Sequence, residues 1–311
     1  MKSIVLLLAF SLVSIFQVQG QEVSIKVDGS NIRGTLEVPK SDHPVDVVLL
    51  IAGSGPTDRD GNQPLGKNNS LKMLAELFSK NGIASLRYDK RSVGASDIVN
   101  ENETSFDMLV NDAVEWIKFL KNDKRFSRII IAGHSEGSLI GMIAGTKIGI
   151  DKYISLCGAG EPAYKIISEQ FKNAGLSREV LIQNDKIADS LRNGLNIKNI
   201  SSTPIFKSFY RTSIQKYLIS WYQYDPANVI SKLMIPVLIV GGTTDLQVDA
   251  KEAEILSKAS PKSELVIVED MNHVLKEVAT KDRALNFSSY SNPDLELSDQ
   301  LCKSLIDFIK K

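Results

Sequence analysis

Apolar and polar positions alternate over Glu22–Val27 and Ile32–Val38, on either side of Asp28-Gly29. That pattern predicts a β-hairpin at the antiparallel edge of a sheet. Val47–Ile51 is apolar throughout, as a strand buried on both faces would be. Leu71, Leu74, Leu77 and Phe78 then recur at helical spacing over Leu71–Lys80, and Asn81-Gly82 is a helix-stop signal. Ile83–Tyr88 reads as the next strand and Ser105–Leu120 as the next amphipathic helix. Ile129-Ile130-Ile131-Ala132 is a short buried strand that leads through a glycine-bounded turn into another helix, and Tyr153–Cys157 is a strand again. From Gly158 to about Ile230 no strand-like run occurs; the segment reads as helices, with Ser201-Ser202-Thr203-Pro204 as a joint. The rhythm resumes with a strand at Pro236–Val240, a helix over Val248–Ala259, a strand at Glu264–Val268 and a final helix at Leu295–Ile309. This order predicts an α/β fold: a mostly parallel, doubly wound sheet with a helical insertion at about 158–230. Sites in such sheets lie at the carboxyl ends of the strands, so the loops after Ile51, Tyr88, Ala132, Cys157, Val240 and Val268 are the ones to inspect.

The first twenty residues stand apart. Met1-Lys2 is followed by the mostly apolar run Ile4–Phe16 and then by Val18-Gln19-Gly20. This predicts a secretory signal peptide cut before Gln21, a domain over 21–311, and export to the periplasm or medium. The apolar run falls short of the ~20 residues that span a bilayer, and no cysteine lies near the cut to carry a lipid, so no lasting membrane anchor is expected.

The 37 basic and 37 acidic residues cancel, and no basic block is interleaved with aromatics, which argues against a nucleic-acid partner. Cys157 and Cys302 are the only cysteines. An exported protein could pair them, but one ends an apolar strand and the other sits in the last helix, so two buried free thiols are expected. Neither has metal-ligand spacing with a histidine, so no metal site is expected.

The chemistry centres on Gly133-His134-Ser135-Glu136-Gly137. Gly-x-Ser-x-Gly between a strand and a helix is the signature of a nucleophile elbow, which strains the serine backbone and exposes its hydroxyl. A serine needs a base within hydrogen-bond reach, and the base needs an orienting group. Only three histidines are present. His43 precedes a strand, on the amino side of the sheet. His134 adjoins the serine and must point away from it. His273 follows the last strand and is the candidate base. Asp245, after the preceding strand, is the candidate orienting acid, with Asp249 and Asp270 as rivals; the chain order Ser135, Asp245, His273 suits an elbow-type hydrolase. The oxyanion of such a reaction needs N–H donors, for which Glu136 and Ser54 are the candidates, with Gly53 as the alternative to Ser54.

Three further stretches carry weaker signals. Asp58-Arg59-Asp60 and Tyr88-Asp89-Lys90-Arg91 could meet substrate or could brace loops through ion pairs, the simpler reading. Phe206, Tyr210, Tyr217, Trp221 and Tyr224 could wall an acyl pocket or pack the insertion onto the sheet, and packing is favoured.

Together, Gly53-Ser54-Gly55-Pro56-Thr57-Asp58-Arg59-Asp60-Gly61-Asn62, Arg87–Arg91, Gly133–Gly137, Gly241–Asp245 and Asn272-His273 resemble the α/β-hydrolase superfamily. Within it the chain is most similar to the serine-aminopeptidase-like branch that includes EstD-type bacterial carboxylesterases. The resemblance covers nearly the whole mature chain, with 158–230 as the variable cap. It implies a triad of Ser135, Asp245 and His273 and hydrolysis of small-molecule carboxylic esters without a cofactor. One departure is visible: the family's Arg-Gly-x-Gly is here Arg91-Ser92-Val93-Gly94. Two rivals remain: a peptidase using cap carboxylates (Glu161, Glu169, Glu179, Asp185, Asp189 or Asp225) to hold an ammonium group, and a non-catalytic binding protein on the same scaffold.

Overall fold

The computed structural model describes residues 20–200 and 203–311, so residues 1–19 of the expected signal peptide and Ser201-Ser202 of the expected joint lie outside the described residues. Eight strands are formed: β1 (Gln21–Val27), β2 (Ser30–Glu37), β3 (Val45–Ile51), β4 (Ala84–Tyr88), β5 (Phe126–His134), β6 (Lys152–Leu156), β7 (Val237–Gly242) and β8 (Ser263–Val268). They make one sheet in the order β1-β2-β4-β3-β5-β6-β7-β8. β1 and β2 are antiparallel, as are β2 and β4, and the remaining pairings are parallel. The hairpin turns through Asp28 (φ 48°) and Gly29 (φ 84°). Positive φ at both central residues matches the right-handed twist of the flanking strands.

Helices cover both faces. α1 (Ser70–Lys80), α2 (Phe106–Lys121) and α3 (Glu136–Ile148) precede an insertion of five: α4 (Ala163–Asn173), α5 (Arg178–Arg192), α6 (Pro204–Phe209), α7 (Gln215–Trp221) and α8 (Pro226–Ile230). α9 (Ala250–Ala259), α10 (Arg283–Ser288) and α11 (Asp299–Lys310) complete the chain. Alternate residues of the central strands feed two cores. Val47, Leu49, Ile51, Ile131, Tyr153 and Ile239 pack under α2, α3 and α9; Val48, Leu50, Ile130, Ala132, Ile154 and Leu238 pack under α1 and α11. Double-sided burial explains why these strands read as continuous apolar runs.

The insertion has its own small core, in which Phe206 and Tyr210 are fully buried. Its aromatic series therefore splits between roles. Trp221 stacks on Phe106 of α2 with ring centroids 5.8 Å apart, and Tyr224 donates a hydrogen bond to Asp107, so these two seat the cap on the sheet domain. Tyr217 and Trp221 also face a cavity beneath the cap.

The structure corrects the end of the chain. The last helix begins at Asp299 rather than Leu295, because 295–297 is drawn into a loop: Lys276 Nζ donates to the Leu295 carbonyl, and Leu297 pairs with Lys276 in an isolated bridge. α10 and a following helical turn (Ser289–Ser291) had no periodic apolar signal. The cysteines are both free, but only Cys157 is buried; Cys302 is half-buried on the flank of α11.

Candidate active site

The elbow is formed by the residues that the spacing implied. Ser135 sits between β5 and α3 with φ 54° and ψ −120°, a conformation that a non-glycine residue holds only when its surroundings force it. A Cβ on Gly133 would strike the Gly137 carbonyl and the Ser138 Cα, and one on Gly137 would strike the Ile51 and Ala52 carbonyls of β3. Close approach of helix and strand thus requires glycine at both places. Glu136 is the first residue of α3, so its N–H has no intrahelical acceptor, and the positive end of the helix dipole lies here. Neither the Ser54 nor the Glu136 N–H meets an acceptor among the described residues. Gly53 leads the β3 loop past the serine: a Cβ there would lie 3.1 Å from Ser135 Cβ.

His273 and Asp245 are joined. His273 Nδ1 lies 2.7 Å from Asp245 Oδ2, and the two residues are 4% and 6% exposed. The other carboxylate oxygen of Asp245 accepts from the N–H groups of Gln247 (2.8 Å) and Val248 (2.9 Å), which fixes its plane. The rivals are engaged elsewhere. Asp249 caps α9 by accepting from the Lys251 N–H, and Asp270 occupies a left-handed turn (φ 56°) whose N–H donates to Thr243. Ser135 and His273 are not hydrogen-bonded to each other among the described residues. Such bonds are commonly long without substrate and tighten in the reacting complex.

His134 does point away from the serine, and it has a job. Its Nε2–H donates to the His273 carbonyl at 2.7 Å, and the two rings lie 4.8 Å apart. Burial, reinforced by His273, pushes its pKa down to about 3, so the ring is neutral. Asn272 holds the same loop: its amide donates to Ser289 Oγ and its carbonyl oxygen accepts from the Val274 and Lys276 N–H groups. His43 is exposed in the loop before β3.

Cys157 does more than fill the core. It has φ 49°, and its thiol lies close to the Asp245 carboxylate. The Cys157, Asp245 and His273 donor atoms lie within 4.8 Å of one another, a proximity that linear spacing did not reveal. Burial raises the Cys157 pKa well above the usual thiol range.

The loops Asp58-Arg59-Asp60 and Tyr88–Arg91 act mainly as braces. Arg59 bonds both Asp89 and Glu22, Arg87 bonds Asp60 and Glu37, and Arg91 forms a two-pronged pair with Asp112 at 2.6 and 2.7 Å. Lys90 is the exception: it reaches the site, donating to the Gly53 carbonyl and facing Glu136. Ser92, where the related pattern has glycine, takes the left-handed conformation (φ 61°) that glycine would adopt without strain.

A cavity of about 590 Å³ opens between cap and sheet. Ser54, Ser135 and Glu136 lie at its floor, and Leu109, Leu139, Ile166, Ile167, Phe209 and Leu218 supply much of its apolar wall. Its three carboxylates are occupied: Glu101 by Arg211, Glu161 by Lys165 and Glu136 by Lys90.

Comparison with known proteins agrees with this architecture. Esterase EstD of Thermotoga maritima is 27% identical over 297 residues, spanning 92% of this chain and 68% of that protein. Among solved structures, Est1E from Butyrivibrio proteoclasticus, determined with ferulic acid bound, matches at TM-score 0.58 with 18% identity over 93% of this chain and all of that one. The Pyrococcus furiosus esterase Pf2001 matches at TM-score 0.60 with 15% identity over 94% of this chain and 91% of that one. The profile of the family described as serine aminopeptidase, S33 (Hydrolase_4) matches residues 68–277. That match covers more than half of the chain and includes the elbow and both partners of the His273–Asp245 pair, so the chain belongs to this family of α/β hydrolases.

Proposed function

We propose that the protein hydrolyses carboxylic esters through an acyl-enzyme intermediate carried by Ser135. The observation that supports this reading is the buried 2.7 Å bond between His273 and Asp245, together with an elbow serine that opens on a largely apolar cavity. Ser135 attacks the ester carbonyl while His273 takes its proton. Asp245 holds the Nδ1–H tautomer of His273 and stabilises the imidazolium. The Ser54 and Glu136 N–H groups receive the oxyanion. His273 then protonates the departing alcohol, and water releases the acid by the reverse route. The esterase names of EstD, Est1E and Pf2001 support an ester as substrate.

The family description also names a peptidase activity. Occupied carboxylates around the cavity argue against it, because an N-terminal ammonium would have to displace a cation already in place. We also infer export with removal of the leader before Gln21, on the strength of the signal-peptide pattern.

The test is Ser135→Ala. Wild-type protein is expected to turn over p-nitrophenyl butyrate and to be labelled at Ser135 by a fluorophosphonate; the variant is expected to do neither. Undiminished turnover by the variant would end this reading.

A further inference from the structure

Lys90 is buried just past the end of β4, with its side chain 5% exposed, yet it lines the cavity floor. Its ammonium donates to the Gly53 carbonyl and stands 3.4 Å from Glu136 Oε2. Gly53 directly precedes Ser54 in the loop after β3, and Glu136 directly follows Ser135 at the start of α3. Lys90 therefore touches both segments that bring N–H donors to the serine, although it belongs to neither. The Glu136 side chain is 1% exposed, and its other oxygen, Oε1, has no hydrogen-bond partner among the described residues. A carboxylate so buried is costly unless a charge of opposite sign stands by it, and Lys90 supplies that charge.

We propose that Lys90 is a positioning residue of the oxyanion hole, tying the Gly53 carbonyl to the Glu136 side chain and so setting the separation of the Ser54 and Glu136 N–H groups. This rests on the ester-hydrolase reading above. A peptide carbonyl engaged through its oxygen has its plane fixed, and the plane of the Gly53–Ser54 peptide fixes the direction of the Ser54 N–H. The Thr57 hydroxyl, which donates to the Ser54 carbonyl at 2.7 Å, braces the loop alone and does not reach the helix; without the ammonium the tie between loop and helix end is lost, and the donors would lose their aim at the oxygen they must receive. Ground-state binding depends on the apolar cavity wall instead and should change little.

The experiment compares wild type with Lys90→Met on p-nitrophenyl butyrate, together with inhibition by n-butylboronic acid, whose serine adduct is tetrahedral, and by butyrate, whose carboxylate is planar. The expected result is a kcat lowered at least tenfold, a KM and a butyrate affinity within twofold of wild type, and a boronate affinity lowered in step with kcat. A folded variant that keeps wild-type kcat and boronate affinity overturns the proposal, as does one that loses kcat, KM and both affinities together, the mark of a merely structural role. If Lys90→Met does not fold, the neutral pair Lys90→Met/Glu136→Gln, which strands no charge, carries the same comparison with the same criteria. Failure of the underlying reading is separable: wild-type protein would then show neither turnover nor fluorophosphonate labelling, and the proposal would fall with it.

Discussion

His134 gives the most quantitative prediction. The fold holds its ring neutral, donating to the His273 carbonyl, with its pKa pushed from the usual 6.5 to about 3 by burial. A histidine depressed in this way contributes fully to stability above its unfolded pKa and loses that contribution as pH falls toward the folded value. At pH 7.5 the loss is negligible. At pH 5 an unfolded histidine of pKa 6.5 is almost fully charged while the folded one is not, which costs ~2 kcal/mol at 1.36 kcal/mol per unit. The figure barely changes if the folded pKa lies a unit higher, because at pH 5 only the unfolded form titrates. His134→Gln removes the titration and keeps an N–H for the His273 carbonyl. Urea unfolding of both proteins at pH 7.5 and 5.0 isolates the effect, since all other titrating groups are shared. Wild type should lose about 2 kcal/mol more than the variant between the two pH values. Equal losses would mean that His134 is not held neutral, and the account of the His273 loop would have to be abandoned.

Other groups make comparable statements. Lys276 is fully buried on the Leu295 carbonyl, and burial pulls its pKa down to about 8. Its contribution is whole above pH 10.5 and lost as pH falls through 8, so stability should climb by about 2.5 kcal/mol between pH 8 and 10.5, and Lys276→Met should flatten that rise in paired denaturation curves. Arg91 and Asp112 are both 1% exposed and joined by two bonds. Asp112→Ala should cost ~3 kcal/mol of unfolding free energy, because it leaves the buried guanidinium only the Val27 carbonyl and the more distant, exposed Asp28 at 3.6 Å, and Arg91→Met/Asp112→Leu should recover most of it; a single-variant cost under about 1 kcal/mol would contradict the pairing.

Much of the site could be read from the linear chain because its signals are local. The elbow is five consecutive residues whose glycines answer to contacts with adjoining elements, and the strand ends mark the loops that bear Asp245 and His273. Three histidines left one at a suitable strand end. The end of the chain was harder. The delayed start of α11 follows from Lys276, which holds the Leu295 carbonyl 19 residues away, and Asn286 of α10 bonds the Thr244 carbonyl 42 residues away; neither pairing leaves a periodic trace. Ser92 illustrates the same limit from the other side: the chain shows a serine where glycine is usual, but only the coordinates show that it still turns left-handed.

By itself the sequence determined the alternation of strand and helix and the position of the strained serine, since these follow from periodicity and from residue types that few backbones tolerate. Tertiary structure alone decided which of the polar residues at the strand ends meet. It put Asp245 rather than Asp249 or Asp270 on the His273 ring, brought the Cys157 thiol within 4.8 Å of that pair, bound His134 to the His273 carbonyl, and brought Lys90 across to Gly53 and Glu136. The reason is physical: local conformation depends on near neighbours in the chain, whereas a buried polar group must find its partner in whatever segment the sheet order brings alongside.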